Sequence, residues 1–353
     1  MLKKLLSISL CICLVLCLAA CGGEAPIDDS TPTDGGTTDI TPEPQPEPKP
    51  TKLVNPLTGL EDLPLDKGNV RPLAIMIDND SLAQNNSQIG VPSADIIFET
   101  EVEGGICRLV ALFANGEGAP QIGNVRSARV VYIDIATGFN AIYCHHGIDA
   151  VYAVNRLKEL GTDNFVLGEN NGGWRQTYGK PASWQNLYTT GEKLWASLEK
   201  KGWKTTQDKF EPWQTFTNEE VSLTSGIANK LSVKYNGNSH SYFTYDPATK
   251  EYLKTSRHSQ NKDNLTGDAY AFKNVIVIQT TMGYYTTDPH RKIDLTSGSG
   301  YYMVNGTYQE IKWEKGAATN NFKFTTKDGK PLTMQAGKTW VCIANVKSTI
   351  LFE

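Results

Sequence analysis

The sequence predicts an α/β (or α+β) N-terminal domain followed by a smaller, mainly β C-terminal domain. In the first half, strand-like apolar runs at 71–77, 94–102 and 106–113 are mixed with stretches of helical spacing at 127–137 and 149–160. After about residue 215, short β-branched and aromatic runs separated by turns replace this pattern. We therefore predict an α/β domain over residues 53–210 and a mainly β domain over 211–353.

Turn-forming and helix-capping residues indicate where the elements of the first half begin and end. The polar cluster 78–80 ends the first strand, and 103–105 (Glu-Gly-Gly) predicts a hairpin turn between the next two strands. Ser127 is expected to cap a helix that runs to Thr137 and ends at Gly138. Residues 140–145 are strand-like, and the helical spacing of 149–160 is closed by Gly161.

The second half is predicted to consist of strands and hairpins. Strands are expected at 229–235, 241–245, 251–256 and 274–280. Hairpins are expected over 301–313 and 322–346, the second with Asp328-Gly329 at its tip.

The first 21 residues have the pattern of a bacterial lipoprotein signal. Lys3 and Lys4 precede an apolar run over 5–18, and Leu-Ala-Ala-Cys at 18–21 resembles a lipobox. The run is shorter than the roughly 20 residues that a membrane span needs. An ordinary secretory signal or a short membrane helix is the alternative interpretation. We predict that Cys21 carries lipid and anchors the chain on the extracytoplasmic face of the cell membrane.

Residues 22–52 have the composition of a disordered tether, with many Pro, Thr, Gly and acidic residues and no aromatic residue. Of the total charge of −4, the signal holds +2 and the tether −5, so residues 53–353 carry −1. A nearly neutral body argues against nucleic acid as a partner. Its three cysteines, Cys107, Cys144 and Cys342, are an odd number and do not indicate a disulfide framework.

Arg126 and Arg129 are the strongest candidates for ligand binding. Three positions apart at the expected start of a helix, they would share one face beside free backbone N–H groups and the positive end of the helix dipole. Guanidinium groups there suit phosphate or carboxylate, and Arg108 on a neighbouring strand is expected to join them. The alternative is that the arginines pair with nearby carboxylates and only hold the layers together. Those carboxylates are Glu99, Glu101 and Glu103.

A second set of candidates lies at the ends of strands. Asp78 follows a strand, where α/β sheets bind ligands, although Asp-Asn-Asp is also ordinary turn chemistry. Glu101 and His145 are candidates for moving protons in the cleavage of a glycan. His145 and His146 are adjacent and point to opposite faces of a strand, and no zinc motif is present. We predict no metal and no cofactor.

Tryptophans are crowded between residues 174 and 213, where exposed indoles would stack on sugars. Large apolar rings are more often core, and we predict core positions for most of them. They are Trp174, Trp184, Trp195, Trp203 and Trp213.

Several segments together resemble the YerB-like family of bacterial lipoproteins, whose two adjacent domains have no settled biochemical activity. The matching segments are 55–59 (NPLTG), 71–79 (RPLAIMIDN), 94–99 (ADIIFE), 104–108 (GGICR), 122–129 (IGNVRSAR), 245–246 (YD), Asp263, 274–277 (NVIV) and 337–340 (GKTW). The resemblance covers nearly all of residues 55–346 and implies a lipoprotein with two domains, without a reaction.

The chain departs from that family at two places. Relatives tend to have His-Ala-Gly-Gly-Ser where this chain has His-His-Gly-Ile-Asp at 145–149, and a histidine where this chain has Gln185. Glutamine cannot move protons as histidine does, which weakens the prediction of an enzyme.

We therefore expect a lipid-anchored extracytoplasmic protein that binds a cell-envelope component, either a wall or anionic polymer or another envelope protein. The alternative is an enzyme that acts on an anionic glycan or its phosphodiester. If Asp78, Glu101, Arg126, Arg129 and His145 converge in a concave pocket, the enzyme is favoured; if they do not, binding is favoured.

Overall fold

Strands from both halves of the chain meet in one large sheet. The computed structural model describes residues 50–177, 186–255, 261–285 and 289–353. The predicted signal with Cys21, the tether up to residue 49, Trp184 and Gln185 lie outside these residues. In the described part no helix is long and apolar enough to cross a membrane.

The first half contains short strands with four helices among its described residues. Its elements are β1 (Leu73–Asp78), α1 (Ser81–Asn86), β2 (Ile96–Glu101), β3 (Cys107–Phe113), β4 (Ile122–Gly123), α2 (Val130–Gly138), β5 (Ile142–His145), α3 (Tyr152–Leu160), β6 (Asn164–Val166), β7 (Trp174–Arg175), β8 (Leu187–Thr189) and α4 (Gly191–Lys200).

The second half is mainly β. Its strands are β9 (Thr215–Thr217), β10 (Gly226–Ile227), β11 (Lys230–Lys234), β12 (His240–Asp246), β13 (Glu251–Thr255), β14 (Ala271–Phe272), β15 (Asn274–Thr280), β16 (Met282–Tyr284), β17 (Arg291–Ile293), β18 (Ser297–Val304), β19 (Thr307–Glu314), β20 (Lys323–Thr326), β21 (Thr333–Gln335), β22 (Thr339–Asn345) and β23 (Thr349–Phe352).

The large sheet joins the two halves through β22. Within the described residues its order is β10-β19-β18-β15-β22-β2-β3-β1-β5-β6, with β20 paired to β19. β22 lies between β15 and β2 and is parallel to both, with Val341 opposite Ile276 on one side and Phe98 on the other. A parallel strand needs a long crossover connection. β22, the last strand but one of the chain, thus crosses back to pair with β2, an early strand of the first half.

Both faces of the large sheet are covered. On one face, α2 and α3 pack with Trp213, with Phe322 and with Phe324 of β20. On the other face lie α4 and a five-stranded sheet of the described residues, in the order β14-β13-β12-β11-β23. A sheet buried on both sides needs apolar residues on both faces, and every residue of β1, β2 and β3 is buried.

The predicted fold class is confirmed, as are most of the expected elements. The turn at 103–105 joins β2 to β3, and β18 and β19 form the hairpin expected at 301–313. The hairpin expected over 322–346 is only partly right. Asp328-Gly329 turns the chain, and the N–H of Thr326 donates to Lys330 O. β22 is not part of this hairpin, because it lies in the centre of the large sheet and pairs with β15.

The helix expected to have Ser127 as its N-cap starts two residues later, at Val130, with Arg129 as its N-cap. Residues 125–128 run extended across the end of the sheet instead. There the N–H of Arg126 donates to Met76 O at 3.1 Å and that of Ala128 to Gly147 O at 3.0 Å. These bonds need extended backbone, so tertiary contacts override the local capping signal.

The three cysteines of the folded part, Cys107, Cys144 and Cys342, are buried free thiols. Burial raises the pKa of each thiol well above its usual range. Such thiols act as apolar packing groups and not as nucleophiles.

The predicted boundary at residue 210 can be tested by cutting the chain there. A fragment of residues 53–210 lacks β22, and so leaves the whole edge of β2 unpaired. We expect this fragment to aggregate, because an exposed apolar strand edge pairs with other chains. Size-exclusion chromatography and thermal unfolding compare it with the chain of residues 50–353. A monomeric fragment with a cooperative transition would show that the first domain folds alone.

Candidate functional site

The predicted arginines lie at the edge of the sheet where β1 and β2 end, and they meet carboxylates there. Asp78, the last residue of β1, is opposite Arg108 of β3. Its side chain is fully buried, and Oδ2 lies 3.1 Å from Nε of Arg126. Burial raises the pKa of Asp78, and the positive charge of Arg126 opposes this rise. Asp78 and Arg126 thus form a charge pair that is largely shielded from water.

Glu103, in the turn between β2 and β3, joins two further arginines. Its carboxylate accepts a 2.7 Å bond from Arg129 Nε, a second bond from Arg129 Nη2, and a 3.2 Å bond from Arg108 Nη2. Burial would raise the pKa of Glu103, but the hydrogen bond from Arg129 and the two positive charges outweigh it, and the pKa falls to about 2. Burial and the charge of Arg129 lower the pKa of Arg108.

Glu101 makes a separate pair with Arg291 of β17, whose guanidinium lies 4.1 Å from the ring centre of Tyr284. Glu101, Glu103, Arg129 and Arg291 surround a small cavity. The volume open to the centre of a water molecule there is about 10 Å³, which holds about one water. No ligand fits this cavity as it stands.

Within the described part of the chain, none of the hydrogen bonds of His145 reaches these arginines or carboxylates. It ends β5 and is buried; its Nδ1 lies 2.8 Å from Gly147 O and its Nε2 3.4 Å from Asn164 Oδ1. Burial lowers the pKa of His145. A neutral ring that donates through Nδ1 to a backbone carbonyl is typical of a buried structural histidine.

The expectation that Arg126 and Arg129 share one helical face is therefore wrong. Arg126 lies on the extended segment before α2, and Arg129 is the N-cap residue. The two guanidinium groups also face different carboxylates, those of Asp78 and Glu103. This geometry favours structural ion pairs over a site that waits for an anion. Anion binding by Arg108, Arg126 and Arg129 stays a prediction.

Glu99 has a structural position that sequence analysis did not foresee. It is 2% exposed in the middle of β2. It accepts bonds from Asn79 Nδ2 at 2.8 Å, Ser241 Oγ at 2.6 Å and Trp340 Nε1 at 3.0 Å. The buried ammonium of Lys254 lies 5.1 Å from the Trp340 ring centre. The sequence does show a carboxylate within an otherwise apolar strand, which could have indicated a buried structural role. The groups that donate to Glu99 come from distant parts of the chain, so they could not be predicted.

An open groove lies elsewhere, beside β9 and β20, with a volume of about 790 Å³. We call it the aromatic groove. Trp213, Phe322 and Leu332 are buried residues that line it. Trp213 Nε1 donates to Leu57 O at 2.8 Å. Its described lining is Val54, Asn55, Gly59, residues 212–218, residues 322–325, Pro331 and Leu332.

Close packing holds the walls of the aromatic groove in place. Gln214 Nε2 donates to Phe322 O at 2.7 Å, which ties the segment before β9 to that before β20. The ring of Phe216 packs on Gly59, where an added Cβ would lie 2.5 Å from Phe216 Cβ, and φ of Gly59 is +73°. Only glycine accepts both the contact and the backbone conformation. The groove is thus largely preformed, as ligand clefts usually are.

Two family models match the chain, and they divide it into two regions. "Protein of unknown function (DUF3048) N-terminal domain" matches residues 57–204, and "Protein of unknown function (DUF3048) C-terminal domain" matches residues 231–341. The chain belongs to this family.

Similar proteins come from Bacillus subtilis. "Putative lipoprotein YerB" of strain 168 is 30% identical over 306 residues, which cover 83% of this chain and 86% of that protein. The crystal structure of the B. subtilis YerB protein has a TM-score of 0.71 and 28% identity, and the match covers 85% of this chain and 100% of that chain. The resemblance to the YerB-like family is confirmed. The names state no ligand and no reaction.

A substitution of Glu103 tests whether its ion pairs with Arg108 and Arg129 are structural. A carboxyl whose pKa is lowered on folding contributes stability that is present above its unfolded pKa, near 4.5, and is lost as the pH falls toward 2. We expect Glu103→Gln to lower the free energy of unfolding at pH 7 by about 2–3 kcal/mol. It should also flatten the dependence of stability on pH between 4.5 and 2, as measured by urea unfolding.

The matched control is Glu310→Gln, which removes an exposed pair with Lys327. We expect a loss under about 1 kcal/mol from the control. Equal stability of the two variants at pH 7 would contradict a structural role for Glu103.

Proposed function

We propose that this chain is a lipid-anchored extracytoplasmic protein that binds a neutral or anionic polymer of the cell envelope in the aromatic groove. The observation that carries this proposal is the groove itself, which combines a large volume with aromatic and amide side chains. Clefts of about 300–1,000 Å³ with a few polar groups on an apolar lining are the usual form of binding sites.

The chemistry of the groove lining favours a polymer that is neutral or negatively charged. Among the described lining residues Lys323 alone is charged. Asn55, Gln214 and Asn218 offer amides, and Phe216 offers an apolar ring. Sugar rings or apolar groups pack on such rings, while the ammonium of Lys323 attracts a phosphate or carboxylate.

The enzyme alternative is less well supported. Glu101 and His145, the residues considered for proton transfer, lie outside the described lining of the aromatic groove. Glu101 is paired with Arg291, and His145 is buried. The cavity that Glu101 and Arg129 line, as far as the described residues define it, has a volume of only about 10 Å³, too small for a substrate.

The anchoring part of the proposal rests on the Leu-Ala-Ala-Cys sequence at 18–21 and on the name of the relative, which describes a lipoprotein. We expect Cys21→Ala to abolish incorporation of a fatty-acid label and to leave the signal uncleaved, because the thiol accepts the diacylglyceryl group. In-gel fluorescence after growth with an alkyne fatty acid measures this. Equal labelling of both proteins would contradict lipid attachment.

Binding in the aromatic groove is tested by reversing the charge of Lys323. We expect Lys323→Glu to weaken binding to purified wall polymer by about tenfold, since an attraction becomes a repulsion. The control is Lys327→Glu on the same hairpin, with a side chain 78% exposed and outside the described groove lining. Co-sedimentation of residues 50–353 with wall material gives the affinity.

Two outcomes would overturn the groove proposal. One is equal binding by the Lys323→Glu and Lys327→Glu variants, and the other is no binding to wall material by the unmodified protein. In the second case, capture of an envelope protein that Lys323→Glu abolishes would identify a protein ligand instead of a polymer.

A further inference from the structure

The five-stranded sheet ends in a strand whose outer edge is open. Within the described residues, β23 is the last strand of this sheet and pairs with β11 alone. Lys230 of β11 and Glu353 exchange both of their backbone hydrogen bonds, at 2.8 and 3.0 Å. Opposite residues in an antiparallel ladder alternate between bonded and non-bonded pairs. Leu351 and Thr349, which follow Glu353 at steps of two, therefore also direct their N–H and C=O groups toward β11.

Ile350 and Phe352 alternate with these residues, so their backbone groups point away from β11. In the described part of the chain, the N–H and C=O groups of both residues have no hydrogen-bond partner. The ring of Phe352 stacks on Tyr308 with the ring centres 4.1 Å apart, which fixes β23 against the large sheet. Leu351 is 57% exposed on the outer face. The open edge is thus a rigid template for a further strand.

The sequence of β23 does not protect this edge. Thr-Ile-Leu-Phe contains no charged residue and no proline, which are the residues that usually prevent edge pairing. By contrast, the carbonyl of Val166 in β6, an end strand of the large sheet, accepts from Asn171 Nδ2 at 2.6 Å. The other end strands of the two sheets as described, β10 and β14, have two residues each. β23 is therefore the end strand best suited to pairing with another chain.

The charges beside β23 favour a second copy of the same chain as its partner. If Ile350 of each copy lies opposite Ile350 of the other, the outward backbone groups exchange bonds, and Thr349 lies opposite Leu351. The same register places Lys347 of each copy beside Glu353 of the other. Both residues are exposed. In the neighbouring two-fold registers, centred on Thr349 or on Leu351, these opposite charges do not meet.

We propose that two copies of this chain pair through β23, antiparallel and about a two-fold axis, so that their five-stranded sheets become continuous. A two-fold contact of this kind closes on itself and gives a dimer. A contact of so few residues is weak between free chains, so it is measured with both copies in one membrane. The measurement rests on the lipid anchor, which the Cys21→Ala labelling tests separately, and it does not depend on the ligand of the aromatic groove.

The first measurement uses the full lipidated chain in vesicles of phosphatidylcholine. A carbodiimide joins a neighbouring ammonium and carboxylate as an amide, with loss of water. In a mixture of unlabelled and isotope-labelled chains, we expect mass spectrometry to find Lys347 of one copy linked to Glu353 of the other. The internal positive control is the link between Lys230 and Glu353, whose charged groups lie 3.1 Å apart within one chain.

The second measurement is disulfide formation by a chain that carries both Thr349→Cys and Leu351→Cys. These positions form a non-bonded pair across the proposed contact, where Cβ atoms lie about 4.5–5.5 Å apart. Adding Lys347→Glu should slow formation of the disulfide dimer about tenfold, because like charges then meet twice. Lys347→Glu together with Glu353→Lys should restore it. Lys327→Glu, an exposed charge reversal on the β20 hairpin, is the matched control and should have no effect.

Thermal unfolding confirms that each variant is folded before its dimer is measured. Absence of the Lys347–Glu353 link between copies, or absence of a disulfide dimer from the folded cysteine variant, would overturn the proposal. Equal dimer formation with Lys347→Glu and Lys327→Glu would do the same. In cell membranes, disulfides of the cysteine variant to a different protein, with none between copies, would also overturn it and would identify a foreign strand at this edge.

Discussion

The buried carboxylate of Glu99 connects three parts of the fold. Its donors are Asn79 after β1, Ser241 on β12 of the second sheet and Trp340 on β22. A carboxylate at 2% exposure is costly to bury unless charge-assisted hydrogen bonds replace its water. All three donors are in place only when β22 pairs with β2 and the second sheet packs on the large one. The insertion of β22 and the satisfaction of Glu99 are thus one constraint, on which the packing of the two halves depends.

The same principle accounts for the polar edge of the large sheet. A body with a charge of only −1 carries several arginines there, and each of Arg108, Arg126, Arg129 and Arg291 faces a carboxylate. Because the side chains of these four arginines are at most 17% exposed, the pairs are screened less by water and salt than surface pairs are. Removing one partner would leave a buried charge without a counterion, so each pair favours the folded arrangement. The pairs therefore hold the turn at Glu103 and the start of α2 against the sheet. Charge that is neutralised internally in this way is not available for a ligand.

Local signals in the sequence predicted much of this fold and little of its sites. The turn at 103–105 and the strand β15 follow from residue types within a few positions, and both are found. The start of α2 was misplaced because Ala128 bonds to Gly147, a partner that no local pattern reveals. Arg291 and Glu101 are 190 residues apart in sequence, so their pairing could not be read from either segment. The aromatic groove is likewise assembled from segments near 54–59, 212–218 and 322–332.

Asn55 connects the wall of the aromatic groove to the start of β2. It lines the aromatic groove, and its Nδ2 donates to Asp95 while its Oδ1 accepts from the N–H of Leu57. Its backbone oxygen accepts from Gly59, the residue on which Phe216 packs. The segment 55–59 is therefore a wall of the aromatic groove whose position is fixed by Asp95 on one side and by Phe216 on the other.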